Sequence, residues 1–261
     1  MVSTTTQEVF TLSREEIYYL MGLLGADSMI GLGAAESEPA ILDHGRASLL
    51  QRGLMTTGAT RSTDEVDARL LPLTMTSFFP DAALFIVRDV PEIGKQILLI
   101  FRRGSLTVLH TFPEQFSHRL APLASPAQAV DLIQRWFPLT AYPDSEGSLT
   151  MTVQSFGEFR DKAEAYHERA ALQAIADCPL VDAEKVNLAQ AIAHCTISGS
   201  FAVMHCDQNV ITAAHSLAVF AGPSTAWLIS YTDDDTQGHQ LLIRRIGADF
   251  ENVVTGMVQR M

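Results

Sequence analysis

Histidine and cysteine residues between positions 194 and 215 are the side chains of this sequence best suited to chemistry. His194-Cys195 and His205-Cys206 repeat at a spacing of eleven residues, and His215 follows ten residues after His205. A zinc site needs four nitrogen or sulfur ligands, usually with two to four residues between the members of each pair. Adjacent residues diverge on a helix and point to opposite faces of a strand. The spacing therefore disfavours both a metal site and a Cys206 nucleophile with His205 as its base.

Other catalytic and cofactor motifs are incomplete. Ser198-Gly199-Ser200 lacks the strand–turn–helix frame of a nucleophile elbow. Gly31-Leu32-Gly33 has neither the third glycine nor the preceding strand of a dinucleotide site, and Asp233-Asp234-Asp235 lacks the remaining ligands of a calcium loop. The sequence thus predicts no catalytic residue, no metal ligand and no cofactor, and it leaves the binding residues unknown.

The elements that would position any site form a repeat. The stretch 82–102 recurs without a gap at 226–246, an offset of 144 positions, and both copies are typical of two strands joined by a polar loop. Helical patterns precede each copy. We therefore predict an α+β fold, built as a pseudo-twofold tandem duplication of antiparallel meander sheets with flanking helical bundles. Because exposed sheet edges promote aggregation, we expect the halves to join edge to edge in one sheet.

Local signals place the remaining elements. Ser13 and Glu16 form a capping box for a helix that ends at Gly25, and Leu106–His110 adds a third strand to the first meander. The patterns predict further helices at 40–55, 62–79, 114–123, 125–137, 155–177 and from Asp182 onward. The repeat predicts a helix at 210–221, although the propensities of these residues favour a strand. The segment 249–261 fits a helix or a strand, and we favour the helix.

The Gly-rich segment 27–39 has two interpretations. It is a surface loop that tucks Met29, Ile30 and Leu32 onto the body, or it is a mobile contact loop. The Pro- and Gly-containing segment 138–147 is the best boundary between halves. We therefore predict a first half at 1–137, a connector at 138–147 and a second half at 148–261, packed as one globular unit.

The amino-acid composition disfavours several classes of function. The chain has 261 residues, 47% of them apolar, and a net charge of −12, which disfavours nucleic-acid and anionic-membrane partners. The three cysteines have no disulfide-framework spacing, so reduced thiols are the simplest account. The start of the chain lacks a signal peptide and no stretch has the apolar length of a membrane span. We therefore expect a cytoplasmic protein.

Several segments together resemble the EspG family, the cytosolic chaperones associated with type VII secretion. The resemblance runs through Leu50–Met55, Asp64–Val66, Phe79–Asp81, Leu84–Val87 and Ile97–Arg103 with its Arg-Arg-Gly turn. It implies a pseudo-twofold fold of paired sheets and helical bundles, and a non-enzymatic protein that binds a helical secretion substrate. No binding residue carries over, because no position matches a signature residue of the family.

Two main functional hypotheses follow. The first is a cytosolic binding or chaperone-like protein that engages a helical protein partner and performs no catalysis. The second is a small-molecule- or metal-binding protein, or an enzyme, with a site between the halves near His194–His215 and the loop 27–39. A homodimeric structural component without a ligand is a third interpretation.

Overall fold

The computed structural model describes residues 8–143, 147–165, 168–207, 210–232 and 240–261. The first half contributes strands β1 (Phe10–Ser13), β2 (Ser28–Met29), β3 (Gly33–Ala34), β4 (Met55–Thr56), β5 (Glu65–Val66), β6 (Ala82–Val90), β7 (Gly94–Arg103), β8 (Leu106–Thr111) and β9 (Ser117–Leu123), with helices α1 (Arg14–Leu24), α2 (Pro39–Gln51), α3 (Leu71–Phe78) and α4 (Pro126–Trp136). The second half contributes strands β10 (Ser148–Thr152), β11 (Ile197–Asp207), β12 (Val210–Ala221), β13 (Ala226–Tyr231) and β14 (Gln240–Ile246), with helices α5 (Val153–Glu164), α6 (Glu168–Ala174), α7 (Asp182–Ala193) and α8 (Phe250–Arg260).

A ten-stranded antiparallel sheet runs through the whole molecule in the order β1-β9-β8-β7-β6-β11-β12-β13-β14-β10. The halves join at the β6–β11 pair, which runs from Ala82 opposite His205 to Asp89 opposite Ser198. Read outward from this pair, each half places its strands in the same chain order. The predicted α+β fold with a pseudo-twofold arrangement of antiparallel strands is therefore confirmed, and the tandem duplication stays a prediction.

Helices cover the two faces of this sheet differently. On one face, here called face A, α4 and α8 pack over the junction and share one core with side chains such as Leu84, Phe201, Val203 and Phe250. On the opposite face, face B, α1 to α3 cover the first half and α5 to α7 cover the second, each over its own core. The central strands on face B therefore lie between two helical bundles.

The helix starts predicted at Ser13 and at Ser125 are confirmed, with these residues as caps. The Ser13 amide donates to the Glu16 carboxylate (2.8 Å), the Glu16 amide donates to the Ser13 hydroxyl (3.2 Å), and Gly25 ends α1 with φ +76°. The Ser125 hydroxyl caps α4. The chain ends in helix α8, as favoured above. No helix within the described ranges is long and apolar enough to cross a membrane.

The helix predicted at 210–221 is wrong, because this segment is strand β12. The 144-residue offset misled the prediction by aligning β6–β7 with β13–β14, which hold different places in the sheet. Both hairpins have the same register, with Ala82 opposite Arg102 and Ala226 opposite Ile246, so their buried alternation looks alike. By topology, β6–β7 corresponds to β11–β12. Residue propensity was the better guide to this segment.

Three other helix predictions need correction. The segment 114–123 contains strand β9, which β8 and β1 hold from both sides. In 62–79 only Leu71–Phe78 is α-helical, with Pro72 in its first turn. The helix predicted from Ser155 begins at Val153, capped by Thr152, and 155–177 contains two helices. Asp233-Asp234-Asp235 and part of the connector lie outside the described residues.

Candidate functional site

A cleft of about 590 Å³ opens on face B, where the two halves meet. It is formed by β6 and β7 of the first half and by α5, α7, β11, β12 and β13 of the second. We call it the central cleft, and its lining residues are Val87, Asp89, Lys95, Phe156, Arg160, Glu164, Ile192, Cys195, Ser198, Gly199, Ser200, Ala218, Val219, Phe220 and Ile229.

The floor of the central cleft is made of small side chains. Phe201 and Val203 belong to the face A core, so the alternating residues Ser198 and Ser200 of β11 face the cleft. On β12, Ala218 lies directly opposite Ser200. These short side chains project little from the sheet, so another chain can approach its backbone closely.

At Gly199, strand β11 lies in close contact with the face A core on the side opposite the cleft. A Cβ atom at Gly199 would lie 2.4 Å from a ring carbon of Phe137 and 2.9 Å from the carbonyl oxygen of Val87. Phe137 is fully buried and stacks near Phe201, with ring centroids 4.9 Å apart. Only glycine therefore permits this close approach of the ring to β11.

We expect Gly199→Ala to lower the free energy of unfolding by about 1–3 kcal/mol, because the new methyl overpacks the face A core. Gly256→Ala is the matched control, since a Cβ at this position of α8 meets nothing within 4 Å. The control should gain about 0.5–1 kcal/mol from helix propensity. Urea denaturation measures both values, and equal effects of the two changes would contradict the packing argument.

Apolar side chains form the walls of the central cleft. Phe156 on α5 and Ile229 on β13 are half-buried, and Ile192 and Phe220 are nearly buried beside them. Beyond the cleft, Ile93 stands at the turn of the β6–β7 hairpin with 61% of its surface exposed. Exposed apolar side chains that border a concave surface are typical of interaction sites.

Charges of both signs surround these walls. Asp89 and Lys95 lie opposite each other on the β6–β7 hairpin. On α5, Arg160 contacts Asp161 at 3.0 Å and Glu164 at 3.6 Å. This mixture offers donors and acceptors to a polar partner without a strong net attraction for either charge.

Cys195 is the thiol of the central cleft. Its sulfur donates to the carbonyl oxygen of Ile197 at 3.3 Å. Burial raises the pKa of the Cys195 thiol, so it stays protonated at neutral pH, and the protonated thiol is a poor nucleophile. The Cys195 side chain therefore fits a role in packing at the central cleft.

The histidines and cysteines at 194–215 do not converge on one site. Cys195 precedes the first residue of β11 and Cys206 lies near its last, and the strand from Ile197 to Cys206 alone spans roughly 30 Å at about 3.3 Å per residue. His215 lies opposite Val203, whose side chain belongs to the face A core. In the part of the chain that the structure describes, no group of three His, Cys, Asp or Glu residues could hold a metal ion.

A second cavity, of about 580 Å³, lies at the far end of β11. It brings Asp27, the first residue of the Gly-rich segment, near Cys206 and Asp207. Burial raises the pKa of the Cys206 thiol as well. The rest of the Gly-rich segment follows the first interpretation given above, because Met29, Ile30 and Leu32 pack on the core under α1 to α3.

The sequence reasoning did not identify the residues of the central cleft. The available signal was the set of small residues Ser198, Ser200 and Ala202 at alternate positions of what proves to be strand β11. That signal acquires meaning only when β6 and α5, both distant in sequence, are known to lie beside β11.

Comparisons with known proteins give one informative result. A scan against protein-family models and a comparison with curated proteins found no match. Among solved structures, the chain is similar to the Mycobacterium tuberculosis type VII secretion system chaperone EspG5, in a structure of its complex with the PE25-PPE41 dimer. The match covers 97% of this chain and 96% of EspG5, with a TM-score of 0.71 and 12% sequence identity.

The fold is EspG-like. This likeness extends over both halves, because the match covers 97% of this chain. At 12% identity it shows the fold of this chain and leaves the function to be argued from the site.

Proposed function

We propose that this protein is a chaperone-like binding protein, without catalysis, that holds a helical segment of another protein in the central cleft. The observation that carries the proposal is the uncovered centre of face B. Two helices cover the same central strands on face A, whereas on face B a cleft of about 590 Å³ lies between these strands and the helices α5 and α7.

The shape and chemistry of the cleft favour a helix as its occupant. A helix with its side chains is about 10–12 Å across. It would lay an apolar stripe on the floor at Ser200 and Ala218 and against Phe156, while its polar flanks meet the charged rim. The structural neighbour EspG5 is a chaperone, and its structure contains a bound protein dimer. By analogy we infer that this chain acts in the cytoplasm and that its partner is a secretion substrate.

Site-specific photo-crosslinking in the source cells tests the proposal. A photoreactive phenylalanine replaces Ser200, which is exposed on the floor of the central cleft, and the control replaces Asp131, which is exposed on α4 over face A. We expect one protein to crosslink at position 200 and not at 131, and its crosslinked peptide to be helical by circular dichroism. Equal crosslinking at both positions, or none at position 200, would reject the proposal.

We further propose that the halves, 1–137 and 148–261, form one folding unit through the connector 138–147. The β6–β11 pair and the face A core both draw on the two halves. Fragments 1–143 and 144–261 expressed separately should therefore be insoluble or unfolded, and co-expression should restore a complex. A cooperatively folded single fragment, seen by thermal denaturation, would contradict this prediction.

A small-molecule site is the second candidate function. The cavity that joins Asp27 to Cys206 and Asp207 supports it, because this hypothesis requires the Gly-rich segment and the cysteines to meet. Native mass spectrometry of protein purified from the source cells tests it. A bound small molecule of stoichiometric amount would support this candidate, and a bare polypeptide mass would count against it.

A further inference from the structure

Two histidines lie side by side in the core under α1. His110 on β8 is fully buried and His118 on β9 is 2% exposed. Nε2 of His110 lies 3.0 Å from Nδ1 of His118, and the ring of Phe112 contacts both, with centroid distances of 4.5 and 5.3 Å. The residue opposite His110 on β9 is Leu120, so the two histidines are diagonal neighbours on face B.

Hydrogen bonding decides which ring nitrogens of this pair carry a hydrogen. Nδ1 of His110 is buried and has no partner among the described residues. A hydrogen on this atom would be an orphaned buried donor, which proteins avoid. The His110 hydrogen therefore belongs on Nε2, which donates to Nδ1 of His118. In this arrangement both rings are neutral.

Added protons would break this arrangement. A proton on Nδ1 of His118 faces the Nε2–H of His110, so the two donors oppose each other. His110 could accept only by moving its own hydrogen to the unpartnered Nδ1. A second proton would place two adjacent positive charges among aromatic rings, where no water can solvate them.

The surroundings of the pair do not compensate such a charge. Burial and then the nearby Arg14 lower the pKa of His118 to about 4, while Glu15 acts in the opposite direction. Burial, followed by His118, lowers the pKa of His110 to about 3. The other packed elements face the pair with apolar groups: Leu12 on β1 and Leu99 on β7 lie opposite His118 and His110, and α3 carries no titratable residue.

We propose that the His110–His118 pair is an acid-sensitive latch, which holds the edge formed by β1, β9 and α1 closed at neutral pH and releases it as the pH falls. This edge can open because β1 is only four residues long and is the edge strand at one end of the sheet. Opening exposes the two rings to water, where each takes up a proton. The latch is a regulatory device beyond the proposed function.

Hydrogen exchange measures how the opening of this edge depends on pH. Open-state rings with an ordinary pKa near 6.5 bind two protons that the closed state excludes, so the opening constant of the edge should rise about 800-fold between pH 7.5 and 5.0. After correction for intrinsic exchange, peptides covering β1 and β9 should report this increase. Peptides of β11 provide an internal reference and should change far less.

Substitutions distinguish protonation of the His110–His118 pair from other effects of low pH. With His110→Phe only one ring remains to titrate, so the rise should shrink to about 30-fold. His118→Gln should shrink it similarly, and provides a second route if the first variant folds poorly. His215→Gln, which removes an exposed histidine on β12, should keep the full rise. A full 800-fold rise in either pair variant would overturn the proposal.

A measurement on the unmodified protein completes the test. In the folded chain, the ring signals of His110 and His118 should stay those of neutral imidazole from pH 8 to pH 5 by NMR. Protonation of either buried ring above pH 6 in the folded chain would also overturn the proposal.

Discussion

Ala218→Arg should abolish capture of the crosslinked partner while leaving the protein folded. Ala218 is half-buried on the floor of the central cleft, opposite Ser200. An arginine there fills the space that the partner helix needs and places a charge against its apolar stripe. Central, desolvated positions of an interface dominate its energy, so we expect affinity to fall at least about a hundredfold. Pull-down of the identified partner with the tagged variant measures the loss.

The matched control for this change is Ala127→Arg. Ala127 is exposed on α4, over face A, so the substitution adds the same side chain and the same charge away from the central cleft. Thermal denaturation of both variants checks that folding is retained. Unchanged capture by the Ala218→Arg variant would place the binding surface elsewhere on the molecule.

Glu16→Ala should lower the free energy of unfolding by about 1–3 kcal/mol, the usual cost of leaving buried hydrogen-bond donors unpaired, since its partner Arg52 is partly exposed to water. The Glu16 side chain is completely buried. Its carboxylate accepts hydrogen bonds from the Ser13 amide at 2.8 Å, the Ser48 hydroxyl at 2.7 Å and the Arg52 guanidinium at 2.6 Å. Removal of the carboxylate leaves these donors unpaired and detaches the start of α1 from α2.

Two further variants identify the origin of this loss. Glu16→Gln keeps an acceptor of the same size but removes the charge, so it should lose less than the alanine variant. Glu158→Ala, at an exposed position of α5, should change the free energy of unfolding by no more than about 0.5 kcal/mol. Urea denaturation of the three variants gives the comparison. Equal losses from Glu16→Ala and Glu158→Ala would show that the hydrogen bonds to the Glu16 carboxylate contribute nothing.

Local chemistry made the capped helices predictable. The capping box at Ser13 and Glu16, the Ser125-Pro126 start of α4 and the Gly25 stop each depend on hydrogen bonds within a few residues. The hairpin strands β6 and β7 were equally clear, because long apolar runs flank a turn. The α+β class followed from the order of these elements.

Tertiary pairing decided the cases in which local patterns were ambiguous. The apolar residues of 114–123 fit helical spacing, but β8 and β1 hold Ser117–Leu123 as a strand between them. The segment 210–221 became a strand by pairing with β11, a neighbour that the 144-residue offset concealed. A short apolar run fits either period, and the neighbour that buries it selects one.

The sequence by itself determined the α+β class and the capped starts of α1 and α4, because these depend on residues near each other in the chain. Only the tertiary structure decided where a partner could bind. The central cleft combines Val87 of one half with Phe156 and Ala218 of the other, and its small floor residues are informative only once these distant elements are known to lie together. The buried His110–His118 pair likewise required the register of β8 and β9, which sets two unremarkable histidines 3.0 Å apart.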